Sequence, residues 1–390
     1  MEKLNLMAKT TFGVEAVVSR ELKKLGYADQ IIENGRVNFK GDYEAICRTN
    51  LWLRAADRVV VKVGEFEAFT FDDLFEGTKA LPWENWIPEN GEFPVEGSSI
   101  NSKLASISDC QAIVKKAIVE RLKKTYKRSW FEETGEKYKI EVALLKDIAT
   151  LTIDTTGPGL HKRGYRKLVG EAPLKETLAC AMLMISRWQK DRVLIDPFCG
   201  TGTIPIEAAM IAKNVAPGLN RKFAAEEWPV IPANLWEKAR CEAMDMIDKE
   251  QILRIQGTDI NEEAISLARY HAKEAGVEDI IHLQTIPVSK ISSRYKYGFI
   301  ITNPPYGERT GNIKSVENLY REMGEIFKRF DTWSFYILSS HPEFEKYFGR
   351  KADKKRKLYN GGIMCNYYQY FGPPPKNGLI DKKMTNFDSI

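Results

Sequence analysis

The stretch DPFCGTGTIPIEAA, residues 196–209, follows the apolar run VLI and decides the fold. An acid closes a short β-branched strand, two glycines stand one residue apart, and an apolar, alanine-rich helix begins. Gly200 and Gly202 permit a sharp turn and a close backbone approach that a side chain would obstruct. In a parallel sheet such a loop lies beyond the carboxyl end of a strand, where ligands bind. No G-x-x-x-x-G-K-[ST] pattern is present, which excludes a P-loop, and Ile204-Pro205 occupies the place of the third glycine of a dinucleotide fingerprint.

Working outward, strand-like runs recur at RVLID (192–196), RIQGTD (254–259), IIHLQTI (280–286), GFIITN (298–303) and SFYILSS (334–340). Helical stretches such as NEEAISLARYHAKEAG separate them, and this alternation predicts a parallel, doubly wound α/β sheet. RKLYNGGIMCNYYQYF (356–371) then places Asn360-Gly361 between two strand-like runs, the signal of a tight antiparallel hairpin at the end of the sheet. A parallel sheet closed by such a hairpin resembles the Rossmann-like class I methyltransferases.

Two motifs carry the chemistry. Asp196, in a loop of Pro197, Phe198, Cys199, Gly200, Thr201, Gly202 and Thr203, favours a cationic ligand end over an anionic one. S-adenosylmethionine offers an α-ammonium to that acid and a ribose to Asp259, which closes the second strand ahead of Ile260. Asp259 as a mere helix cap is the competing reading, against which Asn261 is already a good N-cap. The second motif is NPPYGER (303–309), directly after the fourth strand. Pro304 and Pro305 fix φ and lack N–H donors, so the Asn303 side chain and the Pro304 carbonyl can aim acceptors at one amino group. Tyr306 can stack on a base plane. Asn303 also borders the cofactor loop in this topology.

Composition sets the class. The 390 residues suggest two or three domains, and 43% hydrophobic with 28% charged residues is ordinary for a globular protein. No apolar run reaches the roughly 18 residues of a membrane span. MEKLNLMAKTTFG lacks a secretory pattern, so a cytoplasmic location is expected. Six scattered cysteines without a C-x-x-C pair and four histidines support neither a disulfide framework nor a metal site. A net charge of +5 says little by itself, so placement of the charge matters more.

Upstream, GVEAVVSRELKKLG reads as a helix stopped by Gly26, Tyr43–Leu53 as a second helix and DRVVVKVGEF as a strand, together a small α+β unit. A further helix, with Asp109 as its expected N-cap, buries Ile113, Ala117, Ile118 and Leu122. Its other side carries Lys115, Lys116, Lys123, Lys124, Lys127 and Arg128, interleaved with Tyr126 and Trp130. A solvated helix face and an RNA-facing surface are equally consistent with that pattern. DTTGPGLHKRGYRKLVGEAPLKETLA (154–179) reads as a basic connector punctuated by Gly and Pro.

DPFCGTGT, TDIN and NPPYGER together resemble the amino-group methyltransferases, and the chain, nearly end to end, is similar to the THUMP-domain-containing class I RNA methyltransferases of the 23S rRNA guanine-N2 group. FGVEAVVSRELKKLG, SSINSKLASISDCQAIVKKAIVERL, TGPGLHKRGYR and KKRKLYNG carry that likeness outside the catalytic motifs. The resemblance implies a ferredoxin-like subdomain (1–60), a THUMP RNA-binding domain (61–156) and a methyltransferase domain (157–385). It implies S-adenosylmethionine as cofactor, S-adenosylhomocysteine as product, and ribosomal RNA as partner, with RNA contacts from the lysine-rich helix and from Lys354, Lys355 and Arg356. LQTIPVSKI lacks the acid that many relatives place after the third strand, so the adenine contact stays unassigned. Four functions remain open: guanine-N2 methylation of ribosomal RNA, the same reaction on tRNA, adenine-N6 methylation, and a catalytically silent RNA-binding or ribosome-assembly protein.

Overall fold

The computed structural model describes residues 3–167, 174–249, 254–306 and 313–375. Two seven-stranded sheets organise it. The first begins with β1 (Leu4–Lys9), α1 (Glu15–Lys24), β2 (Gln30–Glu33), β3 (Arg36–Gly41), α2 (Tyr43–Trp52) and β4 (Arg58–Glu67). It continues through α3 (Phe71–Ala80), β5 (Val95–Ile100), α4 (Ile107–Tyr126), β6 (Ile140–Leu145) and β7 (Ile148–Asp154). Its strand order is β2-β3-β1-β4-β7-β6-β5.

β4 holds that sheet together. Its first residues pair antiparallel with β1, Val61 opposite Leu6, while the strand runs along β7 from Val60↔Asp154 to Glu67↔Ile148. The expected boundary between residues 60 and 61 therefore falls inside one strand, and the two N-terminal units share a continuous sheet. Nor is Asp109 the cap of α4. Ser106 occupies the N-cap, and Asp109 stands in the first turn, where a negative charge still complements the helix dipole. Val114 joins Ala117, Ile118 and Leu122 on the buried face, with Ile113 only half-buried.

The second sheet is built from α5 (Glu176–Ser186), β8 (Leu194–Asp196), α6 (Thr203–Ala212), α7 (Ala233–Asp245), β9 (Ile255–Asp259), α8 (Glu262–Glu274), β10 (Ile281–Thr285) and β11 (Phe299–Thr302). α9 (Ile313–Phe327), β12 (Ser334–Ser339), α10 (Phe344–Phe348), β13 (Lys354–Asn360) and β14 (Ile363–Tyr370) complete it. The order β10-β9-β8-β11-β12-β14-β13 is parallel through the first five strands and antiparallel at β14 and β13. Asn360 pairs with Ile363, so the hairpin turn is Gly361-Gly362 rather than Asn360-Gly361, and Gly361 takes the left-handed φ of +64°. The order reverses between β8 and β11, the position where open parallel sheets leave a crevice.

The connector is not a solvated linker. Leu160, Arg163 and Tyr165 are buried, and Thr155 and Thr156 bond Asn50 and Val59 of the first unit. Arg163 donates to the Leu160 and Arg54 carbonyls and lies 3.4 Å from the fully buried Glu207 of α6. Glu207 also accepts from Tyr165 Oη at 3.1 Å and Cys180 Sγ at 2.8 Å. A buried guanidinium is tolerated only when its donors find such partners, so this segment welds the two halves. Among the described residues no helix is long and apolar enough to cross a membrane.

Candidate active site

The loop after β8 is a backbone construction. Cys199 N donates to the Thr258 carbonyl at 2.9 Å, Gly202 N to the Cys199 carbonyl at 2.8 Å, and Gly200 N to Asp259 Oδ2 at 2.9 Å. Gly200 and Gly202 have φ of +51° and +86°, the left-handed region that suits glycine. A Cβ on Gly202 would meet Ala268 of α8 at 3.0 Å, whereas one on Gly200 would meet nothing within 4 Å. The loop thus packs against α8 on one side and borders open space on the other. Gly202 caps α6, and Pro205 sits in its first turn, where a missing N–H costs no intrahelical bond.

Asp196 is buried, and its Oδ1 accepts from Thr302 Oγ1 at 2.6 Å and Phe198 N at 3.2 Å. Burial, with nearby Asp259 adding repulsion, pushes its carboxyl up to about 7 against the hydrogen bonds that favour the charged form. Asp259 is half-exposed and also receives Asn261 N at 2.9 Å. Asn261 caps α8 through Glu263 N and Ala264 N. Two carboxylate oxygens with about four lone-pair sites retain capacity for a ligand after those two bonds. Ile260 beside it is 76% exposed, an apolar surface next to a polar acid. Cys199 is buried and its thiol is pushed well up, first by burial and then by Asp196 and Asp259. No thiolate nucleophile is available there. Thr285, opposite Asp259 in β10, is exposed, whereas Val288 is buried.

The Asn303–Tyr306 segment is held instead by side chains. β8 and β11 are neighbours, so the Thr302–Asp196 bond links the two motifs directly. Pro304 is buried, Pro305 exposed, and Asn303 and Tyr306 half-buried. Tyr306 Oη donates to Asn303 Oδ1, and its pKa is raised by burial and by Cys365, with Asn360 bonding opposed to that shift. Tyr320 of α9, fully buried, donates to the Pro305 carbonyl at 2.8 Å and lies 3.1 Å from Ser339 Oγ. Tyr320 thus engages the Pro305 carbonyl, one residue beyond the Pro304 carbonyl expected to face the amine. Thr302, Tyr320, Asn360 and Cys365 escaped the sequence reading. Only Thr302, adjacent to the motif, carried any signal. Gly307, Glu308 and Arg309 of the motif lie outside the described residues.

The basic residues separate into two groups. On α4, Lys115 is tied to Glu133 at 2.6 Å, to the Phe93 carbonyl and over the Phe93 ring, so it serves the fold. Lys123 pairs with Glu120 at 2.9 Å and Arg128 with Glu89. Lys116, Lys124 and Lys127 are exposed, Trp130 is 77% exposed, and Tyr126 Oη is turned inward to the Ile87 carbonyl. On β13, the outer strand of the second sheet, Lys354 is exposed, Lys355 pairs with Glu345, and Arg356 Nε donates to the Gly13 carbonyl.

Family models match three segments: a ferredoxin-like domain of the RlmL type at 5–60, a THUMP domain at 68–154 and an RMKL-like methyltransferase domain at 163–369. The last covers more than half of the chain. This chain belongs to the RMKL-like methyltransferase family. YpsC of Bacillus subtilis, provisionally named an RNA methyltransferase, is 52% identical over 95% of the chain and 97% of its own length. The ribosomal RNA large subunit methyltransferase K/L of Psychromonas ingrahamii is 34% identical over 98% of the chain, which spans 53% of that longer relative. The crystal structure of SMU.472, a provisionally assigned methyltransferase complexed with S-adenosylhomocysteine, superposes with a TM-score of 0.91 at 48% identity, covering 96% of the chain and 100% of that one.

Proposed function

We propose that the chain is an S-adenosylmethionine-dependent RNA methyltransferase acting on an exocyclic base amine, guanine N2 of 23S ribosomal RNA. The observation that carries the reading is the Thr302–Asp196 bond at 2.6 Å, which sets the glycine loop and Asn303-Pro304-Pro305-Tyr306 side by side at the ends of adjacent strands. The residues present fit the cofactor. Asp196 suits an ammonium, Asp259 has acceptor capacity for ribose hydroxyls, Ile260 offers an uncovered apolar face to an adenine, and Gly200 borders open space. The relative complexed with S-adenosylhomocysteine, the expected product, supports this fit.

When bound, S-adenosylmethionine supplies a sulfonium methyl to a nearby nucleophile. An aromatic amine is a weak nucleophile because its lone pair is delocalised into the ring. Asn303 Oδ1, with the Pro304 carbonyl, accepts the amine hydrogens and draws that lone pair out of the ring. These acceptors strengthen as positive charge develops on the nitrogen, which is where binding energy accelerates a reaction. The Tyr306 ring provides a face for a flipped-out base. The methylated amine is strongly acidic and releases its proton to solvent. No covalent step is required, in keeping with the buried, protonated Cys199.

The THUMP domain and the ribosomal RNA relative favour RNA, and ribosomal RNA over tRNA. Nucleoside mass spectrometry of ribosomal RNA, tRNA and DNA from a deletion strain tests the assignment. Loss of N2-methylguanosine from 23S rRNA, restored by the gene, is expected. Loss from tRNA alone redirects the substrate, and loss of N6-methyladenine overturns the guanine reading. An unchanged nucleoside profile together with no cofactor binding leaves a silent RNA-binding protein.

A further inference from the structure

The ferredoxin-like unit reaches the catalytic hairpin. The turn at residues 11–14 ends on Phe12, and Glu15 fixes it by accepting from Gly13 N and Gly35 N, each at 2.9 Å. Gly13, at φ +90°, lies so close to β13 that a Cβ would come within 2.6 Å of the Lys357 carbonyl. Arg356 Nε closes the contact with a 2.9 Å bond to the Gly13 carbonyl. A loop so tightly moored would be expected to bury its aromatic tip. Phe12 is instead 47% exposed, edge-to-face with the half-exposed Tyr359 at 6.2 Å. Directly across the hairpin from Tyr359, Met364 is 46% exposed.

Two further observations give this patch an occupant. Tyr359 is next in sequence to Asn360, a neighbour of Tyr306, so the rings and the Asn-Pro-Pro-Tyr turn flank the same end of β13, on its two faces. Arg356 on β13 donates to the Gly13 carbonyl beside Phe12, and its charge and that of Arg187, just after α5, act on the exposed Arg20 of α1. Partial burial lowers the Arg20 pKa, and the like charges of Arg187 and Arg356 lower it further. Exposed rings beside a cluster of cations match an unpaired nucleotide, which presents a π-face and a phosphate.

We propose that Phe12 and Tyr359 form a stacking platform for an unpaired nucleotide flanking the target base, with Arg20, Arg187 and Arg356 facing its phosphates, so that the ferredoxin-like unit completes the RNA site. This rests on the reading of the chain as an RNA methyltransferase. Filter binding of the full chain to a single-stranded RNA oligonucleotide and to a blunt RNA duplex tests it, with S-adenosylhomocysteine affinity measured by calorimetry on the same preparations. Phe12→Ala should weaken single-strand binding by roughly fivefold to a hundredfold, leave duplex and S-adenosylhomocysteine binding unchanged, and be rescued by Phe12→Trp. Arg20→Glu should weaken both RNAs and flatten the salt dependence. If wild-type protein binds neither RNA, the underlying reading fails with the platform. If wild-type protein binds and Phe12→Ala binds equally well, the platform alone is overturned.

Discussion

The glycine loop and the Asn-Pro-Pro-Tyr turn occupy equivalent places at the ends of neighbouring strands, yet they are secured in opposite ways. The loop is closed by its own N–H groups, bonded to Thr258, Cys199 and Asp259. The turn contains two prolines without N–H groups and depends on side chains reaching in from α9 and the hairpin, Tyr320, Asn360 and Cys365. Backbone bonds within one sheet fix geometry wherever the strands form. Side-chain bonds from remote elements leave a turn that can exchange partners, as the proposed reaction requires of Asn303, whose Oδ1 accepts from Tyr306 Oη in the free protein. In the proposed reaction one subsite is built in advance and the other is completed by its substrate.

The sharpest break of this comparison is Asn303→Ala. Turnover with unmodified ribosomal RNA, followed by tritium transfer, should fall by about 10²–10³-fold, with cofactor affinity close to wild type and Cys199→Ala active beside it. A dead Cys199→Ala next to a live Asn303→Ala would overturn the mechanism. On the loop side, Asp259→Ala removes a charged acceptor worth roughly 1.5–3 kcal/mol, or about tenfold to a hundredfold in cofactor affinity by calorimetry. Unchanged affinity in the folded variant would remove Asp259 from the site.

Acidity separates the subsites further. In the proposed site Asp196 holds an ammonium only when ionised, and its raised value near 7 means that acidification protonates it in the free protein. Cofactor affinity should therefore drop by about tenfold between pH 8 and pH 6, and Asp196→Asn should flatten that dependence at the weaker level. For folding the sign is opposite. The raised carboxyl costs stability as pH rises from its unfolded value toward and through 7, so thermal unfolding of the cofactor-free chain should shift upward on mild acidification. The smallest expected effect belongs to Tyr320→Phe, which deletes one hydrogen bond to the Pro305 carbonyl. A loss of about 1 kcal/mol, near fivefold in kcat with cofactor affinity unaltered, is the outcome to look for. A change in cofactor affinity instead would show that the two subsites are not separable.

The loop was legible because everything it needs is local: an acid, two glycines and a helix start within a dozen residues. The parallel sheet and its terminal hairpin were legible for the same reason, through alternation and a turn signal. What stayed hidden depends on residues far apart in the chain. Lys115 reads as a phosphate ligand until Glu133 and Phe93 are seen around it. Tyr320 reads as one more apolar helix position until Pro305 is placed against it. Arg163 in HKRGYR reads as a surface cation, since only the fold brings Glu207 to it. That one strand, β4, runs from the first unit into the second was not legible, because a strand shared by two units leaves no break in pattern.

The weld at Arg163 also orders events during synthesis. Arg163 and Glu207 are 44 residues apart, and the chain grows from Arg163 toward Glu207. The first sheet, complete by Asp154, can therefore form around Glu21 and Arg54 while the guanidinium still has no counter-charge. Burying it at that stage would be strongly unfavourable. The nascent connector must wait in water until α6 has been made, and the hairpin that meets Gly13 emerges later still. Docking of the two halves through this weld therefore cannot be completed before α6 is made.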